Sequence, residues 1–215
     1  MPIRWTAAAL STPLTLLLVC GIASCSPGPG RIDARTRTEA LWSGFGGQSP
    51  RFELSGNRYW KASMEGGRLL VQNSELGTGV SPVWLGSSLP DDFEVVVMAS
   101  LVKEGLDGGW GIEFGADQRT YAYRVLLYGS GRFCVDRLFG RYPEFIHCVP
   151  VEKSVTTGES RNVLTVRVKG DRISVRVNDA EIVHFRDDRY VPGEFALAVS
   201  GAGTRVRFED IVVRP

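Results

Sequence analysis

Leu164, Val166 and Val168, then Ile173, Val175 and Val177, fall on one side of a two-residue repeat, with Thr165, Arg167, Ser174 and Arg176 on the other. Period-two alternation is the pattern of strands with one buried face. Gly170-Asp171 separates the two runs, and glycine at the first central position suits a type II′ hairpin turn. Short runs rich in β-branched and aromatic residues, punctuated by Gly, Asn, Asp and Pro, predict further strands. The full set covers 68–72, 93–102, 110–114, 121–128, 132–139, 144–149, 163–169, 172–178, 181–185, 195–200 and 204–213. No window carries a 3.6-residue apolar stripe. So many short strands in one domain predict an all-β fold, a two-sheet antiparallel jelly-roll sandwich over 49–215.

The first 48 residues read differently. Arg4 precedes an apolar run over 7–22, too short for a spanning helix, and small residues stand before Cys25. That is the pattern of a secretory signal. Ile22-Ala23-Ser24-Cys25 resembles the lipobox of bacterial lipoproteins. The resemblance implies a signal peptide over 1–24, cleavage before Cys25, and a lipid anchor on that cysteine. Cys20 follows Val19, which is not small, so cleavage there is disfavoured. Ser26 in place of Asp implies the outer membrane in a Gram-negative cell, and the outer face of the plasma membrane in a Gram-positive one. Pro27-Gly28-Pro29-Gly30 and the polar stretch after it lack an apolar face, so 25–48 reads as the lipidated N-terminus and a disordered tether. Leu41, Trp42 and Phe45 are the first residues expected to join the fold.

Removing such a leader leaves a chain long enough for one sizeable core. It would carry 24 basic and 24 acidic residues, which gives no long-range field for nucleic acid. A monomer is expected. Arg132–Phe139 and 144–149 flank a turn-like Gly140-Arg141-Tyr142-Pro143. Folded about Arg141, residues whose numbers sum to 282 face each other, and Cys134 and Cys148 are such a pair. Opposed cysteines on adjacent antiparallel strands are within bridging distance, and an exported protein meets oxidising conditions. A disulfide is expected, with two buried free thiols as the alternative.

The C-terminal half resembles a known superfamily. Tyr123-Arg124-Val125, Gly131-Arg132-Phe133, Thr157-Gly158-Glu159-Ser160-Arg161-Asn162 and Lys169-Gly170-Asp171-Arg172-Ile173 carry the likeness. It continues through Val177-Asn178-Asp179, Asp187-Asp188-Arg189-Tyr190, Gly193-Glu194-Phe195 and Phe208-Glu209-Asp210-Ile211. Together these resemble the concanavalin A-like lectin/glucanase superfamily, with laminin G-like modules and family-sixteen-glycosidase-like domains as the nearest patterns. The likeness spans about 65–215, and departs where Asn178-Asp179 stands for the usual Asn-Gly.

Glucanases of that superfamily carry Glu-x-Asp-x-x-Glu on one strand, and retaining hydrolysis needs two carboxyl groups roughly 5 Å apart. The nearest stretch here, Glu113-Phe114-Gly115-Ala116-Asp117, lacks the spacing and the third carboxylate. Asp136 and Glu144 stand singly, and His147 and His184 are too far apart in sequence to imply a metal pair. Trp84, Trp110, Tyr121, Tyr123 and Tyr128 are the aromatics able to stack on sugar rings. Trp110 alternates with Ile112 and Phe114, however, and Tyr123 with Val125 and Leu127, as on a core face. Glu113 and Arg124 lie on the opposite faces. The ligand-contact set is Trp110, Glu113, Tyr123 and Arg124. Asp210 alternates with Val206 and Phe208. In related jelly rolls an Asp near that point helps hold structural calcium, so the resemblance implies a possible ligand there; a bend residue or a partner for Arg68 is the alternative. The leading expectation is a surface-tethered, non-catalytic lectin-like module for carbohydrate or an envelope partner, with no organic cofactor. A glycoside hydrolase or lyase of the keto-glycoside-cleaving type, with Glu113 and Asp136 as acids, is the second. A structural or protein-interaction lipoprotein, docking through a sheet edge or the disulfide hairpin, is the third.

Overall fold

The computed structural model describes residues 42–43, 45 and 56–215, apart from 77–78, 118–120, 140–141, 152–153 and 157–159. The expected signal peptide, Cys25 and most of the expected tether lie outside these residues. Fourteen strands are numbered here in chain order. One sheet runs β12 (Ala180–Arg186), β11 (Arg172–Val177), β10 (Arg161–Lys169), β5 (Phe93–Lys103), β14 (Arg205–Arg214), β3 (Arg68–Asn73) and β2 (Trp60–Glu65), with β1 (Trp42–Ser43) also on β14. The other runs β4 (Val80–Ser88), β13 (Glu194–Ala202), β6 (Leu106–Asp117), β7 (Tyr121–Tyr128), β8 (Arg132–Phe139) and β9 (Tyr142–Pro150). Every pairing among them is antiparallel. This is the expected sandwich. Because β1 pairs with the end of β14, the sheet takes in residues from the stretch expected to be tether.

The alternation read in the sequence is what packs the layers. Leu164, Val166, Val168, Ile173, Val175 and Val177 meet Trp110, Ile112, Phe114, Tyr123, Val125 and Phe133 in one interior cluster. Each such side chain contributes about 1.5–3 kcal/mol when removed from water. Aromatic edges fit the layers together, as in the T-shaped contacts of Phe93 with Phe114 and of Trp110 with Phe208.

Turn chemistry fixes register. Gly170 alone of its turn takes positive φ (58°), as a II′ turn needs, and Lys169 pairs with Arg172. Asn178 and Asp179 both take positive φ, 47° and 70°, so the dipeptide that departs from Asn-Gly still makes a type I′-like reversal between Val177 and Ala180. Asn178 adds side-chain bonds: its Nδ2 donates to the Ser154 carbonyl at 2.9 Å, and its Oδ1 accepts from the Val163 N–H at 2.8 Å.

Candidate functional site

Three neighbouring strands of the six-stranded sheet bring ionisable groups into one row. In β6 the interior residues are Trp110, Ile112 and Phe114, which leaves Glu113 on the outer face. In β7 Tyr123, Val125 and Leu127 face inward and Arg124 outward; in β8 Val135 faces inward and Asp136 outward. Glu113 pairs in register with Arg124, and Arg124 with Asp136. The row continues from Asp136 to Phe145 of β9, and from Glu113 to Ala196 of β13, opposite the register position of Trp84.

Arg124 is the hub. Its Nη2 and Nε donate to Asp136 Oδ2 at 2.7 and 3.1 Å, and its Nη1 stands 3.8 Å from Glu113 Oε1. Glu113 and Asp136 are only 6% and 2% exposed. Burial pushes the Glu113 carboxyl up to about 7, the Arg124 charge opposes that rise, and the Asp136 charge adds to it. Near neutral pH, Glu113 therefore exchanges its proton while Arg124 and Asp136 form a charge-assisted pair. Asp136 Oδ1 is buried and has no hydrogen-bond partner among the described residues. An unpaired buried oxygen is costly and is ready to accept a donor. At the end of the row Phe145 is 68% exposed. Arg124, Glu113 and Asp136 thus form a largely buried ionic row that ends beside an open aromatic ring.

The structure divides the expected contact set between an outer face and the interior. Glu113 and Arg124 share a face, and Asp136, read as an isolated strand residue, completes their row. Trp110 and Tyr123 do not join it. They are 1% and 0% exposed and sit between the sheets, so no ligand can stack on either ring. The alternation that marked their strands as half-buried placed them on the packed side. Phe145 was not among the expected contacts. A constant register sum of 282 would put Ile146 opposite Asp136, but the register shifts between Val135 and Asp136 and brings Phe145 there instead. The two cysteines precede that shift, and Cys134 and Cys148 are paired and bonded as expected.

Asp210 is likewise displaced by a register shift, between Phe208 and Asp210 on β14. It leaves the inward set of Val206 and Phe208, which passes to Ile211 and Val213. Asp210 Oδ1 accepts the Ile211 N–H at 2.9 Å, and the partner of Arg68 is Glu209, at 3.3 Å. Among the described residues no group of three or more His, Cys, Asp or Glu could hold a metal ion. His147 and His184 belong to different sheets.

A second ionic network ties the six-stranded sheet to the loop after β12. Arg137 Nη1 donates to Asp187 Oδ2, Arg137 Nε donates to Glu144 Oε2 at 3.0 Å, and Arg189 Nε reaches Asp187 Oδ1 at 3.0 Å. Burial alone would raise the Asp187 pKa, but hydrogen bonds from Tyr123, Arg189 and Arg137 reverse that and hold it at about 2. Asp187 stays ionised, and the network reads as an inter-sheet clasp.

No family model matches the chain, and the search of curated proteins finds no match in sequence. Solved structures do match in shape. The carbohydrate binding module CBM66 from Bacillus subtilis superposes with a TM-score of 0.61 at 16% identity, covering 74% of this chain and 92% of that one. The exoplasmic/lumenal domain of VIP36, in a form bound to Ca2+ and Man, matches at 0.54 and 11% identity, over 72% of this chain and 82% of that one. A structure described as a native glycosidic hydrolase matches at 0.55 and 9% identity, over 72% and 80%. At such identities the likeness establishes the fold. The chain has the concanavalin A-like jelly-roll fold.

Proposed function

We propose that this protein is a non-catalytic carbohydrate-binding module, exported and held at a membrane surface through a lipidated Cys25. The observation that carries the binding role is the outer-face row: a guanidinium between two carboxyl groups, an unpartnered Asp136 oxygen, and the exposed Phe145 ring beside them. Forked charged groups recognise sugar hydroxyls, and an open aromatic ring takes the apolar face of a pyranose or furanose. One shape neighbour is named as a carbohydrate binding module and another is in a Man-bound form, which supports the same reading. The sequence likeness of Ile22-Ala23-Ser24-Cys25 to a lipobox supports the anchor. Screening the purified protein on a glycan array should find ligands that are retained without turnover. Phe145→Ala should weaken them at least about fivefold, since a stacked ring contributes on the order of 1–3 kcal/mol. Unchanged binding in that variant would move the site off this face.

Glycoside cleavage is the second reading, and the raised Glu113 pKa is the observation that favours it, because a general acid works best near neutral pH. Against it, the Arg124 guanidinium lies between Glu113 and Asp136, where the reacting carbon of a substrate would have to sit. Product formation that disappears in Glu113→Gln would replace the binding module by an enzyme.

A further inference from the structure

The outer face of the other sheet carries like charges stacked across three strands. Lys169 of β10 pairs in register with Arg172 of β11, and Arg172 with Arg186 of β12, so three cations stand side by side. In the next row Arg167 lies opposite Ser174, and Ser174 opposite His184. All five ionisable side chains are exposed. Directly opposed residues on antiparallel strands are about 5 Å apart, and like charges at that spacing destabilise a sheet. The nearby carboxylates, Glu94 opposite Arg167 included, bond to groups other than Arg167, Lys169, Arg172 and Arg186. Glu94 is taken by Arg214, Glu181 by His184 at 2.8 Å, and Asp92 accepts the Gly170 N–H at 2.7 Å. Arg167, Lys169, Arg172 and Arg186 have no ion-pair partner among the described residues; Asp171, in the turn, is exposed and makes no ion pair either. With the chain balanced at 25 basic and 24 acidic residues, this face is a segregation of charge and not a general excess.

The surface here is also hollowed. A groove of about 570 Å³ runs along these strands, and Arg167, Lys169, Arg172, Ser174, His184 and Arg186 line it from the outer face. A second, of about 350 Å³, lies on the other side of β10, and Arg167 and Lys169 line both. Adjoining hollows that share two cations suit an elongated ligand crossing the strands. A flat charged surface such as a bilayer would rest on the rim and leave the floor empty. Cations and hydrogen-bonding groups spaced along a hollow suit a chain of linked sugar rings that carries anionic groups.

We propose that the β10–β12 face is a second ligand site, which binds an acidic polysaccharide through its carboxylate or sulfate groups. It is distinct from the Glu113–Arg124–Asp136 row and does not depend on it. The full chain should bind polygalacturonate and dextran sulfate more tightly than uncharged dextran, and lose that affinity as salt rises. The double variant Arg172→Ser, Arg186→Ser should weaken acidic-polysaccharide binding at least about tenfold, whereas the charge-matched control Arg58→Ser, Arg132→Ser should leave it unchanged. Without ligand, the first double variant should melt no lower than wild type, because a row of opposed cations gains nothing for the fold. The proposal is overturned if neither polyanion binds, if both double variants weaken binding equally, or if removing Arg172 and Arg186 lowers the melting point by several degrees. Binding to phosphatidylglycerol vesicles without binding to the polysaccharides would overturn it in favour of a membrane contact.

Discussion

Glu113 concentrates the electrostatic consequences of the outer-face row in one titration. Its carboxyl ionises at about 7 in the folded chain and at 4.5 as an unperturbed group, so the folded state binds the extra proton between those values. Stability is therefore highest at the acid end of that window, falls as pH rises through it by about 1.4 kcal/mol per unit, and levels off above. Glu113→Gln should abolish that slope, as read by denaturant unfolding between pH 4.5 and 7.5; a variant with the wild-type slope would show that the proton sits elsewhere. Asp187 works in the opposite sense and in a separate window. Its pKa is lowered from 3.8 to about 2, so the stability it contributes is present above 3.8 and lost as pH falls toward 2. Asp187→Asn should flatten the acid limb and leave the Glu113 window in place. At this scale the sequence was half legible. Glu113 and Arg124 could be put on one face from alternation alone. Asp136 needed the β7–β8 register, and Phe145 needed a shift that no local pattern marks.

Elements were more legible where both strand faces have a defined environment. The expected 121–128 and 132–139 coincide with β7 and β8, which lie inside their sheet. The two longer strands missed entirely are β2 and β4, each at the end of its sheet. In β2, WKASME alternates only half-buried with exposed positions, so its apolar signal is weak. β4 carries Pro82, which argues against a central strand but is tolerated at an edge, where one side of the backbone has no ladder to complete. The β8–β9 hairpin is where reading and structure agree most usefully, because the paired cysteines fixed the register before the shift. Cys134→Ser should lower the melting midpoint by several degrees, in keeping with about 2–4 kcal/mol for a bridge that closes a short loop. Free thiols at both positions in protein recovered from an oxidising compartment would contradict the pairing. Beyond the bridge, β9 is an edge strand that presents Tyr142 and Phe145, 81% and 68% exposed.

On the scale of the whole molecule, two sheets with opposite surface chemistry share one core. The six-stranded sheet carries a nearly charge-balanced row with an open ring at its end, and the other sheet a set of unpaired cations. Net charge reported only their sum, so neither face was legible from composition. The proposed N-terminal anchor has its own test. Cys25→Ala should move the protein from the membrane to the soluble fraction and abolish palmitate labelling, because the lipid on Cys25 is the proposed attachment. Wild-type protein that takes up no labelled palmitate would remove the anchor from the proposal and leave the binding site untouched. The central claim is that neutral carbohydrate binds on the outer face of the six-stranded sheet and leaves intact. Its most direct test is chemical-shift mapping by NMR of a neutral oligosaccharide selected on the array. The expected result is perturbation clustered at Glu113, Arg124, Asp136 and Phe145, reversed on dilution, with the sugar recovered unchanged. Perturbation confined to other strands, or a cleaved sugar in the tube, would contradict it.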